Sequence, residues 1–249
     1  VKARGRLEGV GNVVRFNWPM YAAAAGASCL LGAAAASRAP RSLRLLAALG
    51  SAGAAAFSLA SLGASHWIYD RSELYSWRWL DRVVTREPRR ILNVHAGFDE
   101  SSEPLARHFA SAELVTCDFY DAERNTEPSI ARARRRYPPR AGTRSATCEH
   151  LPVKDGWADL GVGFFAIHEI RSARDRRAFF VEARRCCAPG ARFVLVEHLR
   201  DAANFAAFGP GFLHFFPRRA WLAAANGPFR LAAEFPISPF VRVFGFEAV

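Results

Sequence analysis

Residues 91–101 read Ile-Leu-Asn-Val-His-Ala-Gly-Phe-Asp-Glu-Ser (ILNVHAGFDES). Four mostly apolar residues lead into a glycine-containing turn, and Ser101-Ser102 then open an amphipathic stretch. An apolar run of this length, closed by turn residues and followed by helical spacing, reads as a buried strand feeding a helix. In an open α/β sheet such a strand-to-helix junction is where ligands bind.

The pattern repeats downstream. Glu113–Cys117, Thr143–Thr147, Asp159–Phe165 and Arg192–Val196 are strand-like, and Glu103–Phe109, Glu127–Arg136, Arg174–Cys187 and Pro217–Asn226 are helical. Leu231–Phe235 and Phe240–Phe246 make a last pair, and Pro236 and Pro239 between them suit an antiparallel hairpin at one edge. Strands alternating with helices predict a mostly parallel sheet covered on both faces, an α/β doubly wound fold.

The strand ends carry the polar residues. They are Asn93, His95, Gly97, Asp99 and Glu100; then Asp118 with Phe119, Tyr120 and Asp121; then Cys148, Glu149 and His150; then His168 and Glu169; then Glu197 and His198. Asp118 is the most informative. It follows Gly97 by 21 residues at the end of the second strand, where an acid accepts hydrogen bonds from ribose hydroxyls. A plain strand-end aspartate capping a turn is the alternative. His95, His168, His198 and nearby carboxylates are the groups a metal would use, but no His-x-x-x-His or Cys-x-x-Cys spacing supports that, and no metal is expected.

The N-terminal third is different in kind. Phe16–Ser37 contains no charged residue, and Leu45–Tyr69 contains none but the titratable His66. Each run is long enough to cross a hydrocarbon core of about 30 Å as a helix, and Arg38–Arg44 between them forms a polar turn. Trp18 and Tyr21 at one end, and Trp67, Tyr69, Tyr75, Trp77 and Trp79 after the other, are placed as an interfacial belt. Gly50-Ser51-Ala52-Gly53-Ala54 suits close helix packing in lipid. The expected organisation is a transmembrane helical hairpin over 1–69, an aromatic connecting segment over 70–88 and the α/β domain over 89–249. A buried soluble hairpin is the competing reading, because alanine and glycine dominate both runs.

The formal charge of +11 is carried by arginine. Arg132, Arg134, Arg135 and Arg136 form a basic helix end without interleaved aromatics, so a solvated face is expected and nucleic acid is not. Basic residues flank both sides of the first span, so the positive-inside rule leaves the orientation open. The five cysteines form no paired motif, which points to a reducing, cytoplasmic setting for the α/β domain.

From about Arg89 onward the chain resembles class I S-adenosylmethionine-dependent methyltransferases of the seven-stranded, Rossmann-like kind. "AELVTCDFYD" holds the second-strand acid at Asp118. "CEHLPVKDGWADL" is similar to the family's "xEhLPFxDxxFDxV" segment at Glu149, Leu151, Pro152, Asp155 and Asp159. "HEIRSARDRRAFFVEARRCCAPGARFVLVEH" resembles the stretch in which a helix ends in a Pro-Gly turn before the fifth strand. Tyr69-Asp70-Arg71-Ser72 resembles, weakly, a Tyr-Asp element that covers the pocket in relatives.

The resemblance implies S-adenosylmethionine as cofactor, held by Asn93, His95, Gly97, Asp118, Phe119, Cys148 and Glu149. It implies His168 as a base or orienting group with Glu169 beside it, and His198 and His214 facing the acceptor. The family's first-motif acid is Asn93 here, two of its glycine positions hold His95 and Asp99, and the acid that contacts adenine aligns with Thr147.

A tether at the lipid bilayer implies a hydrophobic or amphiphilic small-molecule acceptor, with the aromatic run Phe205–Phe216 lining its entrance. The alternative function is a non-catalytic relative serving as a subunit or scaffold of a membrane complex, which the altered loop favours and Asp118 disfavours.

Overall fold

The computed structural model describes residues 5–249 and divides them into two compact units. One comprises the residues up to Arg71 together with Ala202–Gly211; the other comprises Ser72–Asp201 and Phe212–Val249.

The first unit is helical. Helix α1 spans Glu8–Ala35 and α2 spans Arg41–His66, continuing into one wider turn at Trp67–Arg71. A short helix from later in the chain, Ala202–Phe208, belongs to the same unit. Pro19 lies inside α1, and Asn17 just before it leaves helical geometry and donates from its amide to the Val13 carbonyl at 3.0 Å. A proline ring clashes with the preceding turn, so the break sits where the chain requires it.

The pairing of α1 with α2 is polar inside. Ser28 and Ser51 exchange hydrogen bonds at 2.8–3.2 Å, and the Tyr21 and Ser61 hydroxyls meet at 3.0 Å. Ser61 and Ser65 are the buried residues of α2, whereas Leu43, Leu45, Leu46, Leu49 and Leu59 are each more than half exposed. Of the two spans read in the sequence, one helical run, Arg41–Ser76, is long and apolar enough to cross a membrane among the described residues, which is weak support by itself. In α1 the apolar run is broken at Asn17 and Pro19 and is otherwise largely alanine.

The Asp70 carboxylate accepts from Gly9 N at 2.7 Å and Val10 N at 3.0 Å, and lies 3.0 Å from His66 Nδ1. It therefore caps the start of α1, satisfying amides that a helix N-terminus leaves open.

The second unit is built on a seven-stranded sheet. Its strands are β1 (Arg90–His95), β2 (Glu113–Asp118), β3 (Arg144–Ser145), β4 (Ala158–Phe164), β5 (Cys187–His198), β6 (Phe229–Ser238) and β7 (Val241–Ala248), in the order β3-β2-β1-β4-β5-β7-β6. The first five run parallel, and β7 inserts antiparallel between β5 and β6. The strand order reverses between β1 and β4, so their C-terminal ends define the crevice. Flanking helices are α3 (Ser102–His108), α4 (Pro128–Arg136) and α5 (Ala173–Cys186); with Ala202–Phe208 numbered α6, the last is α7 (Arg218–Ala225).

Trp77 and Trp79 are 3% exposed and pack against one another, and Trp77 also packs against Phe164, so they belong to this unit's core and not to an interfacial belt. Residues 187–191 are counted with β5, but Gly190 has a φ of +73° and the pairing with β4 jumps from Ala158–Cys187 to Leu160–Arg192, so the chain turns at Pro189-Gly190 before the main run of the strand. The 205–216 aromatic run is divided: its first part lies in the helical unit and Phe212–Phe216 in the sheet unit.

The "CEHLPVKDGWADL" segment, residues 148–160, is mainly structural. Asp159 accepts from the amides of Arg89 and Arg90, both at 3.0 Å, and fixes the start of β1. Leu151 N donates to Glu182, and Arg185 binds Glu182, Asp155 and the carbonyls of Leu151 and Val153, pinning this loop to α5.

Within the sheet, a Cβ at Gly161 would lie 2.4 Å from the Phe193 ring on β5. Gly161→Ala is expected to lower stability by about 2 kcal/mol through overpacking. Adding Phe193→Leu is expected to recover part of that loss. Thermal denaturation checks both; an unchanged melting temperature in the single variant would contradict this packing.

Candidate active site

At the end of β1 the chain turns at Gly97, whose φ of +78° favours glycine. A Cβ there would lie 2.7 Å from the Tyr120 ring, so the turn is also too crowded for a side chain. Asp118, at the end of β2, holds the turn: its Oδ1 accepts from Gly97 N at 2.9 Å and from Tyr120 N at 3.0 Å. Its Oδ2 accepts from Arg134 on α4 at 2.5 Å, and the guanidinium lies 4.5 Å from the centre of the Tyr120 ring. Burial works against the Asp118 anion, but His95, Arg134 and the two amides outweigh it and hold the carboxyl below its ordinary range.

His95 is 1% exposed, with Nδ1 3.6 Å from Asp118 Oδ1 and neither ring nitrogen hydrogen-bonded. Burial pushes its imidazole below the ordinary value against the pull of Asp118 and Asp99. Asn93 is buried and bonded at both ends of its amide: its Oδ1 accepts from Ser101 Oγ and its Nδ2 donates to Ser102 Oγ, both at 2.8 Å, and Ser102 Oγ reaches Thr116 at 2.7 Å. Asp99 Oδ1 accepts from Ser101 N and Ser102 N, so Asp99, and not a serine hydroxyl, caps α3.

The remaining sequence-derived residues fall elsewhere. Phe119 is buried in the core against Phe179, Cys148 is buried with its thiol pushed up by burial, and Glu149 is exposed in the loop after β3. His198 is sandwiched between Phe165 and Phe215, each at 4.8 Å, and its Nδ1 lies 2.9 Å from the Phe240 carbonyl. Phe165 has a φ of +47°, a backbone strain for a bulky residue, located right after β4 at the crevice.

His168, Glu169 and His214 do come together. Glu197, at the end of β5 and fully buried, accepts from the His168 amide at 3.1 Å and lies 2.7 Å from His168 Nδ1. His168 Nε2 is 3.5 Å, and His214 Nε2 3.6 Å, from the same Glu169 oxygen. Burial alone would discharge His168, but Glu197 and Glu169 push its imidazolium up to about 10. Burial opposes the Glu169 anion too, yet the two histidines hold its carboxyl well below the carboxylate range. This cluster is hydrogen-bonding and strongly charged, suited to orienting a polar group.

Two functional residues were not foreseen. Arg134 was read as part of a solvated basic face; Ile130, whose side chain would contact a Cβ at Gly97, sits one turn before it and was the available signal that this helix face meets the loop. Glu197 was seen at the strand end, but its clamp on His168 needed the β4–β5 pairing. A groove of about 530 Å³ lined by Leu222, Ala225, Phe229, Arg230 and Phe246 lies toward the opposite end of the sheet and offers no comparable chemistry.

The family model described as "Methyltransferase domain" matches residues 92–195. The fold is similar to that of geranyl diphosphate C-methyltransferase from Streptomyces coelicolor A3(2), solved with Mg2+, geranyl diphosphate and S-adenosyl-L-homocysteine, with 12% identity, 71% of this chain and 79% of that one covered, and a TM-score of 0.51. It is also similar to an O-methyltransferase family 2 protein from Planctomyces limnophilus DSM 3776 in complex with apigenin, with 14% identity, 86% and 71% covered, and a TM-score of 0.51. No curated protein sequence matches the chain. At such identities the structures speak for the fold alone. The matched segment holds the Gly97 turn, Asp118, the Leu151-Pro152 loop and most of β5, so this part of the sheet unit is similar to a methyltransferase domain.

Proposed function

We propose that the sheet unit transfers a methyl group from S-adenosylmethionine to a hydrophobic or amphiphilic small-molecule acceptor, and that the helical unit anchors it in a membrane with the sheet unit on the cytoplasmic side. The observation that carries the reading is the state of Asp118. One oxygen is fixed by backbone amides, and the other is held only by Arg134, a side chain 30% exposed. A ribose hydroxyl can take the place of that guanidinium. The buried ring nitrogens of His95 and Asp99 Oδ2 lack hydrogen-bond partners, so unmet polar groups line the same turn. Of these residues Asp118 fits the cofactor's ribose; the Tyr120 ring, which fills the space over Gly97, has to move aside before the backbone there and the His95 edge can meet the rest.

The bound cofactor supplies an electrophilic methyl group on a sulfonium, so the protein's task is chiefly positioning. His168, with Nδ1 committed to Glu197, offers only Nε2 to an acceptor, beside Glu169 and His214.

Support for the anchor is the inverted polarity of the hairpin. Serines meet inside while leucines face out, an arrangement that suits hydrocarbon surroundings. The five cysteines are unpaired, in keeping with a reducing compartment for the sheet unit.

A second reading, a non-catalytic scaffold, draws on Asn93. The position of the family's first-motif acid is a neutral, fully buried amide bonded to Ser101 and Ser102, and it offers no charge to a methionine amine.

Binding separates the two. Calorimetry on the full chain in detergent micelles is expected to give a Kd for S-adenosylmethionine in the micromolar range, with Asp118→Ala at least tenfold weaker. Binding absent at millimolar cofactor would favour the scaffold. Arg134→Gln removes the competitor for Asp118 Oδ2 and is expected to tighten binding several-fold; unchanged affinity would mean the guanidinium does not occupy the ribose position. For the anchor, the chain is expected to float with liposomes and resist alkaline carbonate, and release into the supernatant would count against it.

A further inference from the structure

We propose that His168, Glu169 and His214 form a binding site for one divalent transition-metal ion at the C-terminal rim of the sheet. The site does not depend on whether the cofactor loop binds its ligand.

The two imidazoles are set in the same way. Each turns Nδ1 toward a carboxylate, His168 to Glu197 at 2.7 Å and His214 to Glu127 at 3.6 Å. Each turns Nε2 toward the same Glu169 oxygen, at 3.5 Å and 3.6 Å. An outer carboxylate on Nδ1 fixes each ring's orientation and turns Nε2 inward, as in metal-bound histidines; on His168 a metal ion would take the place of the proton that nitrogen carries between its two carboxylates.

The inner distances favour shared ligation over direct pairing. A charge-assisted hydrogen bond from imidazolium to carboxylate brings the atoms to about 2.7–2.9 Å. Nitrogen and oxygen ligands about 2.0–2.1 Å from a tetrahedral ion lie about 3.3 Å apart. The observed 3.5 Å and 3.6 Å are close to the second spacing, and all three ligand atoms lie within 4.8 Å of one another.

The backbone is already organised for this. Arg171 donates from one Nη1 to the carbonyls of both His168, at 3.0 Å, and His214, at 2.6 Å, tying the two ligand-bearing segments together. Asn125 Nδ2 lies 3.5 Å from the other Glu169 oxygen. Glu169 and Glu197 have side chains 8% and 0% exposed, so a dication would balance these two buried carboxylates in place of the proton that the His168 imidazolium supplies. Two imidazoles and one carboxylate suit Zn2+, Co2+ or Fe2+ over Mg2+ or Ca2+, and three protein ligands leave a position open for water or an oxygen of a small molecule.

The test uses the full chain in detergent micelles, stripped with chelator and titrated with Zn2+ by calorimetry and with Co2+ by visible absorption. One Zn2+ per chain, and the intense d–d bands of a four- or five-coordinate Co2+, are expected. His168→Ala, His214→Ala and Glu169→Gln are each expected to abolish the bands. Glu197→Gln is expected to keep them while weakening affinity about 10–100-fold. Circular dichroism identifies folded variants, and Glu169→Gln serves if a histidine variant does not fold. Cys29→Ser and Cys148→Ser, which remove thiols outside the cluster, are expected to leave binding intact. Absent stoichiometric binding, or binding that survives loss of both histidines, overturns the proposal.

Discussion

One buried carboxylate organises the cofactor side of this fold. Asp118 ends β2, yet its bonds run to the turn after β1, to the backbone beyond itself and to α4. A nearly buried anion has to be surrounded by donors, and here the donors come from three separate segments. The tightness of the Gly97 turn, the tilt of Tyr120 over it and the approach of α4 are consequences of meeting that single requirement.

Three buried histidines near the strand ends meet different fates for the same reason. His95 has no donor or acceptor in reach and is kept neutral by burial. His198 is absorbed into an aromatic stack and a backbone carbonyl. His168 has carboxylates on both edges and is a charged centre. A histidine at a strand end is therefore not a functional signal until its second nitrogen is accounted for.

Much of the fold is legible from the chain because each strand is an apolar run closed by turn chemistry, and the parallel order follows from the helices between them. Asp118 is legible because its spacing from Gly97 reflects one strand-helix-strand unit. What is not legible is partnership over distance. Nothing local says that Asp70 caps a helix beginning some sixty residues earlier, that Arg134 bends inward from a run of arginines, or that Trp77 and Trp79 are core residues and not an interfacial belt. The Leu151-Pro152 segment shows the converse. It carries the resemblance to methyltransferases, but its polar groups hold β1 and α5 in place, so a recognisable motif here preserves architecture more than chemistry.

The interleaving of the two units bears on how the chain is made. Residues 202–211 belong to the helical unit although they are encoded between β5 and the last two strands, and a Cβ at Gly209 would strike the Phe57 ring of α2. The polypeptide therefore passes between the units three times, at 71–72, 201–202 and 211–212. The hairpin, synthesised first, waits for α6 until most of the sheet has left the ribosome, and β6 and β7 close the sheet only after that. Neither unit is a contiguous cassette, so a cut after Arg71 yields a sheet fragment that still carries a helix belonging to the part removed.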